Sequence, residues 1–395
     1  MFNKNYGYIA FHTIPNTLKN NSKVKLLQLE LSGIQQYIFG DINICTPIDV
    51  VSARSQYIKD ITALSLAQIK NRLGEKSVTE ELNNSSGKLI LALDKSLKDS
   101  LITETLDELQ RIIFASSQAR LQMFYAFCDA KITDNVENLA GCNASKLLIE
   151  KLEKNKYHCT NILDYETNKY DYASFKIKQC TYDPKETDQK SARMAIKFDL
   201  DNLGLFFGSL HQFDVRNAAS QALSSVLLSS LENIPGVQKI FIGGDDIFAT
   251  ASVDTYLNVI SKMYNNIREG IMTRPELESY RAYFGISGGT SIIRNDLGKE
   301  SLLVLYHTSE NELSTAKSAK GKNVISINNV VVSWEQFLLL TELVEKNKNK
   351  LFSNIDNNAK MILMEDVLRL TARVLSMKRQ IAMTKEQERL LKEIG

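Results

Sequence analysis

Residues 239–252, KIFIGGDDIFATAS, contain the pattern that decides the fold. Two short apolar runs flank a turn that contains glycine, which predicts a β-hairpin. The turn ends in two adjacent carboxylates, Asp245 and Asp246. Like charges about 4 Å apart cost on the order of 4 kcal/mol at an effective dielectric of about 20, and a divalent cation would remove that cost. The alternative is a solvated turn, because Gly and Asp are common turn residues.

The segment before this hairpin offers further carboxylates. Residues 194–200 alternate as a β-strand and place Asp199 on the face opposite Phe198. Asp201 shares the face of Asp199 but lies beyond the strand end, so it could be a ligand, a helix cap or neither. Asn202 could cap the following helix or reach a base or ribose.

The second half of the chain has the order of a ferredoxin-like fold. Hydrophobic periodicity predicts a βαββαβ order with irregular additions, as in polymerase and cyclase palms. After strand 194–200, the predicted elements are helix 215–232, hairpin 239–252, helix 253–268, strand 283–293, helix 299–316 and strand 323–327.

The first half repeats this plan with different chemistry. Its predicted elements are strand 24–31, a helix from Ile34, helix 50–73, a turn at 83–87, strand 89–93, helix 97–113, strand 118–128 and helix 144–154. Ser and Gly stand where the second copy has paired Asp, and Glu30 stands near the place of Asp199. We therefore expect one metal-competent copy and one degenerate copy. Two unrelated α/β pieces are the alternative.

These patterns predict an α+β protein with two ferredoxin-like palm domains, a connecting linker and an α-helical C-terminal domain. The expected boundaries are 1–154 (first palm, degenerate), 155–190 (linker or insert), 191–330 (second palm with GGDD) and 331–395 (helical domain). Ser333 and Gln336 predict a capping box at the start of the last domain. Residues 359–380 repeat an amphipathic pattern, and their basic residues suit either a docking face or a solvated surface.

Composition sets broad limits on function. The chain has 395 residues, with 44% hydrophobic and 24% charged, which is typical of a globular protein of two to four units. The net charge of +2 gives no support to a general polyanion-coating role. No signal-like N-terminus and no run of eighteen apolar residues occurs. We therefore expect a cytoplasmic protein without membrane contact.

The cysteines give little indication of a metal. The five cysteines, at positions 45, 128, 142, 159 and 180, include no CxxC pair. His158 with Cys142, Cys159 and Cys180 could converge on zinc, but this spacing is unlike a standard site. Free buried thiols are the more common explanation.

The acidic residues suit phosphoryl or nucleotidyl transfer. That chemistry needs Mg²⁺ or Mn²⁺ held by hard carboxylates on stiff elements, and Asp199, Asp245 and Asp246 meet this requirement if the palm order is right. The glycines Gly243 and Gly244 would let the main chain approach a triphosphate closely. Lysines 317, 320 and 322, just before the closing strand, could meet phosphates or be solvated.

The motif set as a whole resembles one family. LELSGIQQYIF, SARSQYIKDITALS, IKFDLDNLG, FIGGDDIFAT, ISGGTSII and ELSTAKSAKGKNVISI occur in the order found in the large palm-polymerase subunit of type III CRISPR effector complexes. The resemblance covers roughly 24–380. The GGDD hairpin alone would be less specific, since diguanylate cyclases carry the related GGDEF.

The resemblance implies an activity and a site. Members of this family build cyclic oligoadenylates from ATP when the complex binds target RNA. By this likeness Asp245 and Asp246 are the metal-binding pair, Asp199 assists, and Gly243 and Gly244 form the turn on the nucleotide side. We expect further nucleotide contacts in the second palm from Asn202, Gly204, Ser287, Gly288, Lys317 and Lys322. In the first palm, which would bind the ATP that supplies the 3′-hydroxyl, we expect them from Ser32, Gly33, Gln35, Ser86 and Gly87.

The chain departs from the family in three respects. Many relatives carry an HD nuclease domain, whereas no His-Asp dipeptide occurs here, so we expect no DNase activity within this chain. Glu30 replaces the usual Asp before the first-palm GIQ motif, and the linker lacks paired cysteines.

The resulting hypothesis is a metal-dependent synthase of cyclic oligoadenylate, with ATP as substrate and with guide RNA, target RNA and small effector subunits as partners. One alternative is a stand-alone cyclic dinucleotide synthase of GGDEF or minimal CRISPR polymerase type, which could act as a homodimer. The other is a mainly structural RNA-binding subunit.

Overall fold

The computed structural model describes residues 7–40, 48–85, 87–117, 119–139, 143–157, 193–252, 255–291 and 302–351. These residues form two compact units. Among them, unit 1 comprises those up to residue 157 together with Phe206–Ala222, and unit 2 comprises the rest. The predicted linker 155–190, the candidate zinc ligands at 142, 158, 159 and 180, and the amphipathic segment 359–380 lie wholly or largely outside the described residues.

Unit 1 is built on a five-stranded sheet. Its strands are β1 (Gly7–Ala10), β2 (Lys23–Ser32), β3 (Val78–Ser85), β4 (Lys88–Asp94) and β5 (Gln122–Thr133), and its helices are α1 (Ile34–Phe39), α2 (Ile48–Leu73), α3 (Asp99–Ser116) and α4 (Ala144–Tyr157). The strand order is β1-β5-β2-β4-β3. Strand β4 reads LILAL at its centre and is buried there on both faces, as a central strand requires.

Unit 2 is built on a six-stranded sheet. Its strands are β6 (Arg193–Leu200), β7 (Val237–Gly243), β8 (Asp246–Ser252), β9 (Ile286–Ser291), β10 (Val324–Ile327) and β11 (Val330–Ser333). The helices that follow β6 in the chain are α5 (Leu203–Ser209), α6 (Phe213–Ser229), α7 (Tyr256–Thr273), α8 (Leu302–Ser318) and α9 (Trp334–Leu351). The strand order is β11-β10-β9-β6-β8-β7.

The two sheets share one topology. In unit 1 the order β5-β2-β4-β3 and in unit 2 the order β9-β6-β8-β7 both place the first strand of a βαββαβ unit between the fourth and the third. All neighbours in these four-stranded cores are antiparallel. This is the ferredoxin-like arrangement, so the predicted α+β fold with two palms is confirmed. Each core is extended at one edge by a parallel strand, β1 beside β5 and β10 beside β9.

Two local predictions were wrong, and one helix was not predicted. Residues 83–85 lie in strand β3 rather than in a turn, because polar side chains are tolerated on a half-exposed edge strand. Helix α5 precedes the predicted helix 215–232 as a separate element. Residues 331–333 belong to strand β11, which pairs with β10, and not to a helical domain.

Helix α9 begins as its sequence predicts. The main-chain N–H of Gln336 donates to the Ser333 hydroxyl over 3.2 Å, and the Ser333 N–H donates to the Gln336 side chain over 3.1 Å, which is the predicted capping box. Trp334 is 3% exposed, stacks on Tyr264 at 4.3 Å between ring centroids, and donates its indole N–H to the Ile286 carbonyl. The first turn of α9 is therefore part of the packing of unit 2.

None of the helices in the described part of the chain is both long and apolar enough to cross a membrane.

Candidate metal and nucleotide site

The hairpin β7–β8 and strand β6 bring three carboxylates together in unit 2. Asp199 lies opposite Asp246 in the β6–β8 register, and the turn before Asp246 holds Asp245. The Leu200 N–H donates to the Asp245 carbonyl over 3.3 Å, which ties the turn to the end of β6. One oxygen from each of Asp199, Asp245 and Asp246 lies within 4.8 Å of the other two. The structure thus brings together the three side chains that the sequence predicts as metal ligands.

The glycines shape the turn beside these carboxylates. Gly244 has a φ of 65°, a left-handed conformation that glycine adopts without steric cost. A Cβ at Gly243 would lie 2.7 Å from the Phe241 ring, whereas nothing lies within 4 Å of the Cβ position at Gly244. The turn is therefore open on one side, where a bulky anion would have room.

Burial raises the pKa of all three carboxyl groups. Asp199 is buried, and Asp245 and Asp246 are half-buried. Burial is the main cause that raises the pKa of Asp199 to about 6, with Asp246 adding repulsion and Lys317 opposing it. Burial also raises the pKa of Asp245, where Asp199 adds repulsion, and that of Asp246, where Asp245 does. A divalent cation would relieve this excess of negative charge.

Two lysines offset part of the negative charge. Lys317, at the end of α8, lies 2.6 Å from Asp199 through its Nζ atom and is 40% exposed in its side chain. Lys197 is buried, forms an ion pair with Glu310, and lies over the Tyr306 ring. Burial lowers the pKa of Lys197, and the charge of Asp246 opposes that shift.

The sequence pattern did not predict that Lys197 lies beside the carboxylates and pairs with Glu310. The strand alternation does place Lys197 on the same face as Asp199, which was the available signal. Its pairing with Glu310 spans 113 positions and has no local sequence signal.

Asp201 has a different role from the triad. It is 2% exposed, its Oδ1 accepts the Ser287 hydroxyl and its Oδ2 accepts the Asn323 N–H, each over 2.9 Å. Both of its oxygens are thus engaged with other parts of unit 2. Of the three roles that the sequence left open, the structure supports neither metal ligand nor helix cap.

The remaining second-palm residues predicted to contact nucleotide divide into two groups. Gly204, Asn202 and Lys322 are exposed, and the Asn202 amide donates to the Tyr283 carbonyl. Ser287 is fully buried and committed to Asp201, and a Cβ at Gly288 would meet Ile325, Phe198 and Trp334. Ser287 and Gly288 face the interior, so their predicted nucleotide contact is not supported.

The first palm carries a different charge pattern at the same register. The last β2–β4 pair is Glu30 opposite Lys88, just as the last β6–β8 pair is Asp199 opposite Asp246. Glu30 lies 3.3 Å from Lys88, and the Gln28 amide donates to it over 2.8 Å. Lys88 thus stands at the register position of Asp246, where the sequence comparison predicted Ser or Gly.

The predicted first-palm contacts lie near the start of α1. Ser32 and Gln35 are exposed, Gly33 packs under the Arg120 carbonyl, and Gly87 packs against Ile34. The Gly87 N–H donates to the Thr62 hydroxyl, and its carbonyl accepts the Leu31 N–H. Ser86 lies outside the described residues. Gly33 and Gly87 therefore have structural roles of their own at the end of β2.

The donor set of the second palm fits Mg²⁺ or Mn²⁺. Carboxylate oxygens are hard ligands of the kind these ions prefer, and no soft sulfur or imidazole belongs to the group of three. The ligands lie on a strand end and its neighbouring hairpin, which are stiff elements. Asp199, Asp245 and Asp246 would hold the ion, with the open side of the turn left for a ligand.

Two family models match the chain in sequence order. The model of Csm1 subunit domain B matches residues 23–173, and that of the second palm domain of Cas10/Cmr2 matches residues 193–326. No protein with curated annotation matches.

Solved structures share the fold at low sequence identity. Csm1 of T. onnurineus has a TM-score of 0.57 and 16% identity, and the match covers 80% of this chain and 56% of that one. A Csm1–Csm4 cassette in complex with AMPPNP gives 0.55 and 15%, over 84% and 59% of the two chains. A cassette in complex with cA4 gives 0.54 and 15%, over 86% and 60%. The chain thus spans less than two thirds of the length of these proteins.

The family models cover both palms in the expected order, and the solved structures have the same fold as the chain. Together they confirm the resemblance: the chain belongs to the Cas10/Csm1 family of large subunits from type III CRISPR complexes.

Proposed function

We propose that the chain is a metal-dependent nucleotidyltransferase that converts ATP to cyclic oligoadenylate. The observation that carries the proposal is the convergence of Asp199, Asp245 and Asp246 within 4.8 Å of one another beside an open glycine turn. In each step, the 3′-hydroxyl of one ATP loses its proton to water, its oxygen bonds to the α-phosphorus of another, and the bond from that phosphorus to pyrophosphate breaks. The last such step joins the two ends of the chain into a ring. Mg²⁺ or Mn²⁺, when bound, would neutralise the triphosphate and lower the pKa of the attacking hydroxyl.

The residues of the second palm would have distinct tasks. The three aspartates hold the ion. The Gly243–Gly244 turn leaves room on its open side for the triphosphate, to which its main-chain N–H groups would donate. Lys317 contacts Asp199 in the free protein, and its half-exposed ammonium can turn to a phosphate oxygen when that anion arrives. Lys197 is buried and paired with Glu310, so we assign it the task of balancing charge beneath Asp246.

The partners and the biological role are part of the same proposal. Relatives have been crystallised as Csm1–Csm4 cassettes, with AMPPNP and with cA4. We infer by this likeness that the chain binds ATP, works with small effector subunits and guide RNA, and responds to target RNA in type III CRISPR antiviral defence.

The test is product formation from labelled ATP with Mg²⁺, with and without guide and target RNA, and with mass spectrometry of the product. We expect a cyclic oligoadenylate that the Asp245→Ala/Asp246→Ala variant does not form. A wild-type chain that yields no product sensitive to this variant under any condition contradicts the proposal. Preference for GTP would instead favour a cyclic dinucleotide synthase, and co-purification with RNA without turnover would favour a structural subunit.

A further inference from the structure

Asp201 is a buried carboxylate that the proposed mechanism does not use. Its main-chain N–H donates to the Gly285 carbonyl over 2.9 Å, and its carbonyl accepts the Tyr280 hydroxyl over 2.7 Å. A Cβ at Gly285 would lie 2.9 Å from its Oδ2, so the segment before β9 packs directly against the carboxylate. Asp201 is therefore fixed in both main chain and side chain.

The carboxylate of Asp201 anchors the loop between α8 and β10. Gly321, Lys322 and Asn323 have φ values of 91°, 49° and 53°, so three consecutive residues are left-handed. Residues other than glycine rarely adopt this backbone conformation, and it persists only where the surrounding structure imposes it. Both the main chain and the side chain of Asn323 are hydrogen-bonded. Its main-chain N–H donates to Asp201, and its side-chain oxygen accepts the Ile286 N–H over 3.1 Å.

The anchored loop directly follows the end of α8, where Lys317 lies, and carries two further lysines. It follows Lys317, which contacts Asp199, and it includes the exposed residues Lys320 and Lys322. Asp199 and Asp201 are two residues apart on one strand end. At this strand end, Asp199 belongs to the group of three candidate metal ligands, and Asp201 is hydrogen-bonded to the loop that follows Lys317.

We propose that Asp201 is a positioning residue, which holds the lysine loop 319–323, and with it Lys317 at the end of α8, so that their ammonium groups meet the phosphates of a nucleoside triphosphate. This inference rests on the proposed function and deepens it. Loss of the Asp201 anchor should weaken triphosphate binding without removing the metal ligands.

The chain offers a matched control in Glu312. This residue is also buried at 6% exposure, and it also accepts a serine hydroxyl, from Ser326, and a main-chain N–H, from Asn329. It holds the turn between β10 and β11 rather than the lysine loop. Glu312→Ala therefore removes the same kind of anchor elsewhere in unit 2.

The experiment compares the full-length wild type with Asp201→Ala, Asp201→Asn and Glu312→Ala. Binding of Mn²⁺ alone, binding of AMPPNP with Mg²⁺, and KM and kcat for ATP are measured for each. For Asp201→Ala we expect AMPPNP binding about tenfold weaker and KM about tenfold higher, with kcat and Mn²⁺ affinity within about threefold of wild type. Asp201→Asn keeps a side-chain oxygen that can accept the Asn323 N–H, so it should recover most of the loss.

The outcomes separate this inference from the proposed function. If Asp201→Ala binds AMPPNP as well as Glu312→Ala does, or loses Mn²⁺ binding, the positioning role is overturned even when the wild type makes product. If Asp201→Ala weakens AMPPNP binding selectively while the wild type makes no product, the positioning role stands and the synthase proposal fails. A wild type that bound no nucleotide would overturn both. If Asp201→Ala does not fold, the test passes to Asp201→Ser, whose hydroxyl is too short to reach the Asn323 N–H. AMPPNP binding weaker than in Glu312→Ala then decides in favour, and equal binding decides against.

Discussion

The two palms have the same strand order, and each has a carboxylate at the end of its first strand, but the charge of the residue opposite that carboxylate differs. In unit 1 the carboxylate is Glu30, and its cross-strand neighbour is Lys88 at 3.3 Å. In unit 2 the carboxylate is Asp199, and its cross-strand neighbour is Asp246. In unit 1 one lysine faces one carboxylate, whereas in unit 2 Lys317 contacts one of three grouped carboxylates, and the remaining excess of negative charge favours an added cation. The residue at this one register position therefore distinguishes a neutralised carboxylate in unit 1 from a candidate metal site in unit 2.

The largest expected difference between the palms comes from removing one charge at equivalent positions. Asp246→Asn should lower product formation by at least about 100-fold, because it removes a metal ligand and keeps the shape. Glu30→Gln in the first palm should change the rate by less than about threefold, because that carboxylate is already neutralised by Lys88. Initial rates with labelled ATP measure both. Equal losses in the two variants would show that the first palm shares the chemistry.

The next contrast concerns the two lysines. Lys317→Met should raise KM for ATP by about 30-fold, since a charge-assisted hydrogen bond contributes roughly 2 kcal/mol. It should also tighten Mn²⁺ binding in the absence of nucleotide a few-fold, because Asp199 loses a competing cation. Lys88→Met is the matched control and should leave both quantities unchanged. Steady-state kinetics and calorimetry with Mn²⁺ measure them, and a weaker Mn²⁺ affinity in Lys317→Met would contradict this reading.

Acid should act on the second palm more than on an isolated exposed carboxylate. Burial raises the pKa of Asp199 to about 6, and metal binding requires the deprotonated form. Affinity for Mn²⁺ should therefore fall as the pH falls, by about tenfold between pH 7 and pH 5 for one proton released near that pKa. Glu30→Gln should show the same profile as the wild type. A flat profile over this range would argue against these ligands.

The smallest effects concern stability without metal. Burial and repulsion raise the pKa of Asp245 above its ordinary value, so folding favours its protonated form and the ionised form costs stability as the pH rises through that pKa. Asp245→Asn should therefore stabilise the metal-free protein at pH 8 and lose this advantage at pH 3, where the carboxyl group is protonated in both the folded and the unfolded state. Lys88→Met should destabilise by only about 0.2–1 kcal/mol, because that ion pair is partly exposed. Urea unfolding at both pH values distinguishes these signs.

The sequence predicted those features that depend on local pattern. Alternation in 194–200 and the GGDD turn were sufficient to place Asp199 opposite the hairpin, because strand period and hairpin geometry fix the register. The capping box at Ser333 was predicted for the same reason, since its partners are three residues apart.

Features that depend on distant contacts could not be predicted in this way. The Asp201 carboxylate is held by residues 86 and 122 positions away, and Lys197 is paired 113 positions away. The family resemblance predicted a nucleotide contact at Ser287, but its hydroxyl donates a hydrogen bond to Asp201. Strand β3 was missed because an edge strand has no need of apolar alternation on both faces.

The packing of Trp334 provides an intrinsic optical probe. It is the only tryptophan in the chain, and it is buried against Tyr264 in unit 2. Its fluorescence should therefore follow the loosening of the metal-competent palm, while circular dichroism sums the helices and strands of both palms. Non-coincident melting curves from the two signals would reveal that the palms unfold in separate steps, without any label being attached.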